Sequence, residues 1–155
     1  IGLMISLHIV GMYAFSPLIG RIADRISKEL LIGIGAIIAA IGSEIASHTE
    51  APDAAGHMIG LFLIGIGWCS SLVAGSALMT EAFPPEVRVA TQSTSDVLMT
   101  ATGAVAGISS GLAVEQRSYH DLAHWAALVA VFLAVIASIA VVQQSRIRES
   151  EVDPQ

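Results

Sequence analysis

"GRIADRISKE", residues 20–29, is the stretch on which the reading of this chain turns. Two arginines, a lysine, an aspartate and a glutamate crowd into it, between two long apolar runs. Ile1 to Gly20 carries no formal charge, and Leu30 to Ser47 carries only Glu44, near its far end. A helix that crosses a bilayer needs about 20 mainly apolar residues. Both flanks meet that length, so the charged stretch reads as a short connection between two membrane spans.

The pattern repeats outward. Met58 to Thr80 is uncharged, Val89 to Val114 is interrupted only by Asp96, and Leu122 to Gln144 has no formal charge. These runs are apolar nearly all round, whereas the helices of a soluble bundle show a polar face. The sequence therefore predicts an all-α, polytopic transmembrane helix bundle of five spans (1–20, 30–47, 58–80, 89–114 and 122–144) with a polar tail, 145–155, that frays. Composition agrees: 54% of the chain is hydrophobic and 13% charged, against about 25% charged in soluble domains. Mean hydropathy is +0.74. The lipid bilayer is the first implied partner. A net charge of −6 offers no basic patch to nucleic acid. Cys69, the lone cysteine, has no internal disulfide partner. No HExxH, no Ser–His–Asp set and no phosphate-cradling loop occurs, so the sequence implies no enzyme, cofactor, metal or direct ATP use.

Basic residues set the orientation. With five spans, the connections alternate sides, and Arg21, Arg25, Lys28, Arg88, Arg146 and Arg148 share one side while Arg117 lies on the other. The positive-inside rule makes the first side cytoplasmic, the tail included, as in a multi-pass protein of the plasma (inner) membrane. Tyr119 and Trp125 then flank the outer end of the last span, where amphipathic rings prefer to sit. A start at Ile1, inside an apolar run and without Met, reads as a fragment with another helix before it.

Gly20-x-x-x-Asp24-Arg25-x-x-Lys28, in a short cytoplasmic loop, resembles the signature loop G-x-x-x-D-R/K-x-G-R/K-R/K of the major facilitator superfamily. Ser27 stands where the pattern has glycine, and Glu29 where it has a second basic residue. On physical grounds Gly20 permits close approach of a neighbouring helix, and Asp24 can accept backbone N–H bonds or cap a helix. Arg25 and Lys28 suit an anionic inner leaflet. The third span keeps Gly65 and Gly67 of an R-x-x-x-G-x-G motif but has Leu61 at its arginine. "GAVAGISSGL" resembles G-x-x-x-G-P-x-x-G-G with Ile108 and Leu112 as departures, and "PPEVRVATQS" is similar to the entry to the eleventh helix. These decayed motifs place the chain as helices eight to twelve, the C-terminal half. The resemblance implies a secondary transporter that moves a small-molecule substrate by alternating access, coupled to protons, with a missing N-terminal half as its other partner. It also implies that the loop latches the two halves. The alternative is a stand-alone five-helix membrane protein that assembles with a partner and transports nothing itself.

Asp96 is the foremost candidate for the pathway. With a helix start near Pro85 it lies ~16 Å along the span at 1.5 Å per residue, a depth at which ionisable groups face protein or water. Gln92, Asp96, Thr100, Gly103, Gly107 and Ser110 share its stripe. Gly103, Gly107 and Gly111 form a small-residue repeat suited to close helix packing, a theme repeated by Gly67, Ser71 and Gly75. His8 lies within the first span near Met4, Met12 and Phe15, and is a substrate or proton contact or a histidine satisfied by packing. Trp68, mid-membrane, offers a stacking surface for an aromatic or cationic substrate, or simply packs. Tyr13 and Pro17 shape and bend the first helix. Glu44, four residues before His48, reaches the outer interface and is given no transport role. His57, His120, Asp121 and His124 gather on that outer side without a metal being assigned to them.

Overall fold

The computed structural model describes residues 2–49, 54–116 and 119–152, and among these it is helical throughout apart from short turns. α1 (Gly2–Tyr13) and α2 (Ser16–Ala23) form one broken rod. α3 is Lys28–His48, α4 Ala54–Ala82, α5 Pro85–Gln116 and α6 Tyr119–Val152. The break has the predicted cause. Pro17 stands in the first turn of α2 and has no N–H to give to the preceding turn, so the chain restarts with Leu18 and Ile19 both donating to the Phe15 carbonyl, at 3.0 and 2.9 Å.

The charged connection is shorter than the sequence suggests, because α2 runs on to Ala23 and takes Gly20 and Arg21 into its last turns. Arg21 there suits the negative end of the helix dipole. Asp24 is the C-cap of α2, its backbone N–H donating to the Gly20 carbonyl. The cap of α3 is Ser27, whose hydroxyl accepts from the Leu30 N–H at 3.3 Å, and Glu29 follows in the first turn. The expectation that Asp24 caps a helix N-terminus is thus corrected: the two residues that depart from the signature loop, Ser27 and Glu29, start the next helix. A methyl group at Gly20 would meet nothing within 4 Å, so no close approach occurs there among the described residues.

Glycine creates close approach elsewhere. Gly11 of α1 faces Gly65 of α4, and Gly35 and Gly42 of α3 face Gly67 and Gly60 of α4. A methyl at Gly11 would come within 2.6 Å of the Phe62 carbonyl oxygen, and one at Gly67 within 2.5 Å of the Gly35 carbonyl oxygen. Backbone lies on backbone at these crossings, as membrane helices favour when lipid supplies no hydrophobic drive for association. α3 packs along both α4 and α6, α4 also receives α1 and α2, and α5 touches the rest sparingly. Much of the buried set is alanine: Ala36, Ala40, Ala46, Ala74, Ala127, Ala134 and Ala137. Large apolar side chains point outward instead, including Leu3, Ile37, Ile41, Phe132 and Ile139. A water-soluble monomer does not expose apolar surface on this scale; this is an integral membrane protein.

Among the described residues four rods are long and apolar enough to cross a membrane: Gly2–Ala23, Lys28–His48, Ala54–Ala82 and a segment of α6, His120–Ala140. α5 is 32 residues long. The tail departs from expectation too, since α6 continues as helix to Val152 rather than fraying after Gln144.

The two ends of the bundle are tied differently. At the end holding the charged connection, Lys28 Nζ meets Glu81 Oε1 at 2.7 Å, joining the start of α3 to the end of α4. At the other end, His124 Nδ1 donates to Glu44 Oε1 at 2.9 Å and His120 Nδ1 to the Ser47 carbonyl at 2.9 Å, joining α6 to α3. His48 Nε2 stands 3.3 Å from Glu44 Oε2. No group of three metal-ligating side chains forms among the described residues.

Two outcomes check this packing. Gly67→Val in the full-length protein should destabilise it by the ~1–3 kcal/mol of an overpacked contact, whereas Gly75→Ala, which meets nothing within 4 Å, should not lower the melting midpoint in detergent. A Lys28→Met and Glu81→Gln double-mutant cycle should give a coupling below about 1 kcal/mol that shrinks with salt, because Glu81 is half exposed. A larger, salt-insensitive coupling would contradict the exposed geometry.

Candidate functional site

A cavity of about 250 Å³ lies between α4 and α5. α4 contributes Trp68, Ser71, Leu72, Ser76 and Met79, and α5 contributes Gln92, Ser95, Asp96 and Met99. Trp68 is the midpoint of α4 and Asp96 lies about 16 Å from the start of α5, so both stand well away from the helix ends. Trp68 and the Gln92–Asp96 stripe, singled out separately in the sequence, thus face one space.

Local structure fixes each of them. Pro85 starts α5, where a missing N–H costs nothing, and the helix then puts Gln92 and Asp96 one turn apart. Gln92 Nε2 donates to Asp96 Oδ1 at 3.1 Å, which orients the carboxylate. Trp68 is braced by Tyr13 of α1, ring centroids 5.8 Å apart and planes at 68°, a favourable edge-to-face geometry. A second cavity, of about 730 Å³, shares Met79, Ser95 and Met99 with the first and runs along Thr91, Thr94 and Thr102 of α5.

The remaining sequence candidates fall elsewhere. Thr100 donates its hydroxyl to the Asp96 carbonyl at 2.8 Å and does not line the cavity. His8 lies on the α1–α4 seam, where Nδ1 donates to the Leu61 carbonyl at 2.6 Å; this bond to backbone accounts for a histidine in an apolar helix. Methyl groups at Gly103, Gly107 and Gly111 would meet nothing within 4 Å, so this repeat packs against no described helix. In the charged connection, Asp24 and Arg25 are exposed, and among the described residues Lys28 alone forms an ion pair. Its partner Glu81 was missed in the sequence. The available signal was a lone acid directly after the third span, on the same side of the membrane as the basic loop. Met79, Ser95 and Met99 carried no signal of their own, since methionine and serine are common in any span.

Three comparisons bear on this geometry. The Major Facilitator Superfamily profile matches residues 1–154. An uncharacterized MFS-type transporter of Bacillus subtilis, YddS, is 36% identical over 134 residues, covering 86% of this chain and 30% of that protein. A second, YdeG of the same organism, is 32% identical over 77% of this chain and 28% of its own length. The riboflavin transporter RfnT of Brucella anthropi is 27% identical over 87% of this chain and 33% of its own length. The chain therefore spans about a third of the length of these relatives. No solved structure matches it. With a family match along nearly its whole length and relatives 36% and 32% identical over most of it, the chain belongs to the Major Facilitator Superfamily.

Proposed function

We propose that this chain forms the C-terminal helices, eight to twelve, of a secondary transporter that moves a small molecule by alternating access, coupled to protons. The observation that carries the proposal is the α4–α5 cavity, where a mid-helix tryptophan and an intramembrane carboxylate converge. Names of the relatives, which are transporters, support the same class. α5 is the fourth of the five spans in this reading. Its polar run Thr91–Asp96 faces the pathway, and its open glycine face receives helices from the rest of the protein. Asp96 binds substrate or proton: a carboxylate at such depth is costly unless it is used, and among the described residues Gln92 is its one side-chain partner. The charged connection and α6's far end lie at the cytoplasmic face of the inner membrane, consistent with their basic residues. Lys28 and Glu81 hold the loop against α4, while exposed Asp24 and Arg25 are left to engage the other half as the two halves rock.

Proton-driven uptake or efflux in vesicles tests this directly. Asp96→Asn should abolish coupled flux or cut it at least about tenfold, the scale of one lost charge-assisted contact; unchanged proton-coupled flux would remove Asp96 from the mechanism. Asp24→Ala should slow turnover while leaving membrane insertion and melting temperature intact, and wild-type turnover would reduce the loop to a topology signal.

A further inference from the structure

The α4–α5 cavity has an unusual charge balance. Among the described residues its one formally charged lining residue is Asp96, and no lysine, arginine or histidine lines it. Among the described residues no basic side chain pairs with Asp96. Lys28 is taken by Glu81. Arg88 lies about 12 Å earlier along α5, and its Nε donates to the Phe83 carbonyl at 2.9 Å. Gln92, the one side chain bonded to the carboxylate, donates to Oδ1 alone. The carboxylate thus keeps acceptor capacity and net negative charge inside a cleft.

The other walls narrow the ligand. An anion would be repelled by Asp96. The α4 wall across from Asp96 carries the Trp68 ring, Leu72 and the Met79 thioether together with the Ser71 and Ser76 hydroxyls, and Met99 stands one turn along α5 from Asp96. Tryptophan is the strongest cation–π partner among side chains, and methionine is polarizable and adapts to irregular apolar bodies. An aromatic ring braced by Tyr13 across the cleft from an unneutralised carboxylate forms a two-sided site for positive charge on an apolar body. We propose that this cavity binds an organic cation, a compact ammonium carried on an aromatic ring. The inference rests on the reading of the cavity as the substrate site and names the class of substrate.

The test is equilibrium binding of benzyltrimethylammonium to the purified full-length protein in lipid nanodiscs, with benzoate as the anionic control. Benzyltrimethylammonium should bind and benzoate should not. Asp96→Asn should weaken binding at least about tenfold, Trp68→Leu several-fold, and Trp68→Phe less than Trp68→Leu because a ring face is retained. Retained monodispersity of each variant on size exclusion separates lost affinity from lost fold. Absence of benzyltrimethylammonium binding, or equal affinity in wild type and Asp96→Asn, overturns the inference. It does so even where Asp96→Asn abolishes proton-driven flux, a result that bears on the transport reading alone.

Discussion

Close contact between backbones along α4 is the constraint on which the rest of this structure depends. Gly60, Gly65 and Gly67 let α4 accept the carbonyls of α1 and α3 where side chains would otherwise stand. In lipid, association of helices must come from dispersion and polar contacts rather than from escape from water. Glycine crossings supply dispersion by bringing main-chain atoms together, and alanine fills what remains. A single added methyl at these positions collides with main chain, which cannot swing away as a side chain can. The result is an α1–α3–α4–α6 body with small residues inside and Ile, Leu, Val and Phe outside, the reverse of a soluble domain.

α5 is held differently, and the difference explains its composition. It shares few contacts with the body, exposes most of its length and carries the polar run that α3, α4 and α6 lack. A helix buried on all sides, or facing lipid on all sides, would find Thr91–Asp96 expensive. One that borders a cleft can carry it. The cavity against α4 is therefore where intramembrane charge and a mid-helix tryptophan come together, while the tight seams elsewhere contain only satisfied polar groups such as His8 on the Leu61 carbonyl.

Much of this was legible in the residues. Apolar run length gave the helices, Pro17 the broken first rod, Pro85 the start of α5, and the stripe logic placed Gln92 beside Asp96. Pairing between helices was less legible. Glycines recur in α1, α3, α4 and α5, and nothing local distinguishes Gly65 and Gly67, which pack, from Gly103 and Gly107, which stand open; only the partner across the seam does. Glu44 and His124 are far apart in sequence, and their contact depends on α6 running antiparallel to α3. Ser27 shows the opposite case. As a departure from a family pattern it looked like decay, whereas by local chemistry alone, serine three residues before an N–H at a helix start, it reads as a cap. The helical extension of the tail to Val152 was hidden because polarity there argued against a span, yet polarity does not argue against a helix.

The two end ties have a mechanical consequence for α3. One tie, Lys28 to Glu81, anchors its first turn to α4, and the other, Glu44 to His124, anchors its last turn to α6. A rod fixed at both ends to different neighbours resists torque about its own axis, and the glycine seams between them leave no side-chain ridges to ratchet past. Rotation of α3 alone would have to break an ionic contact at one end or the hydrogen bonds at the other. α3, α4 and α6 are thereby keyed together as one rotor, and the compliant joints of the chain are the proline break after Tyr13 and the loosely held α5.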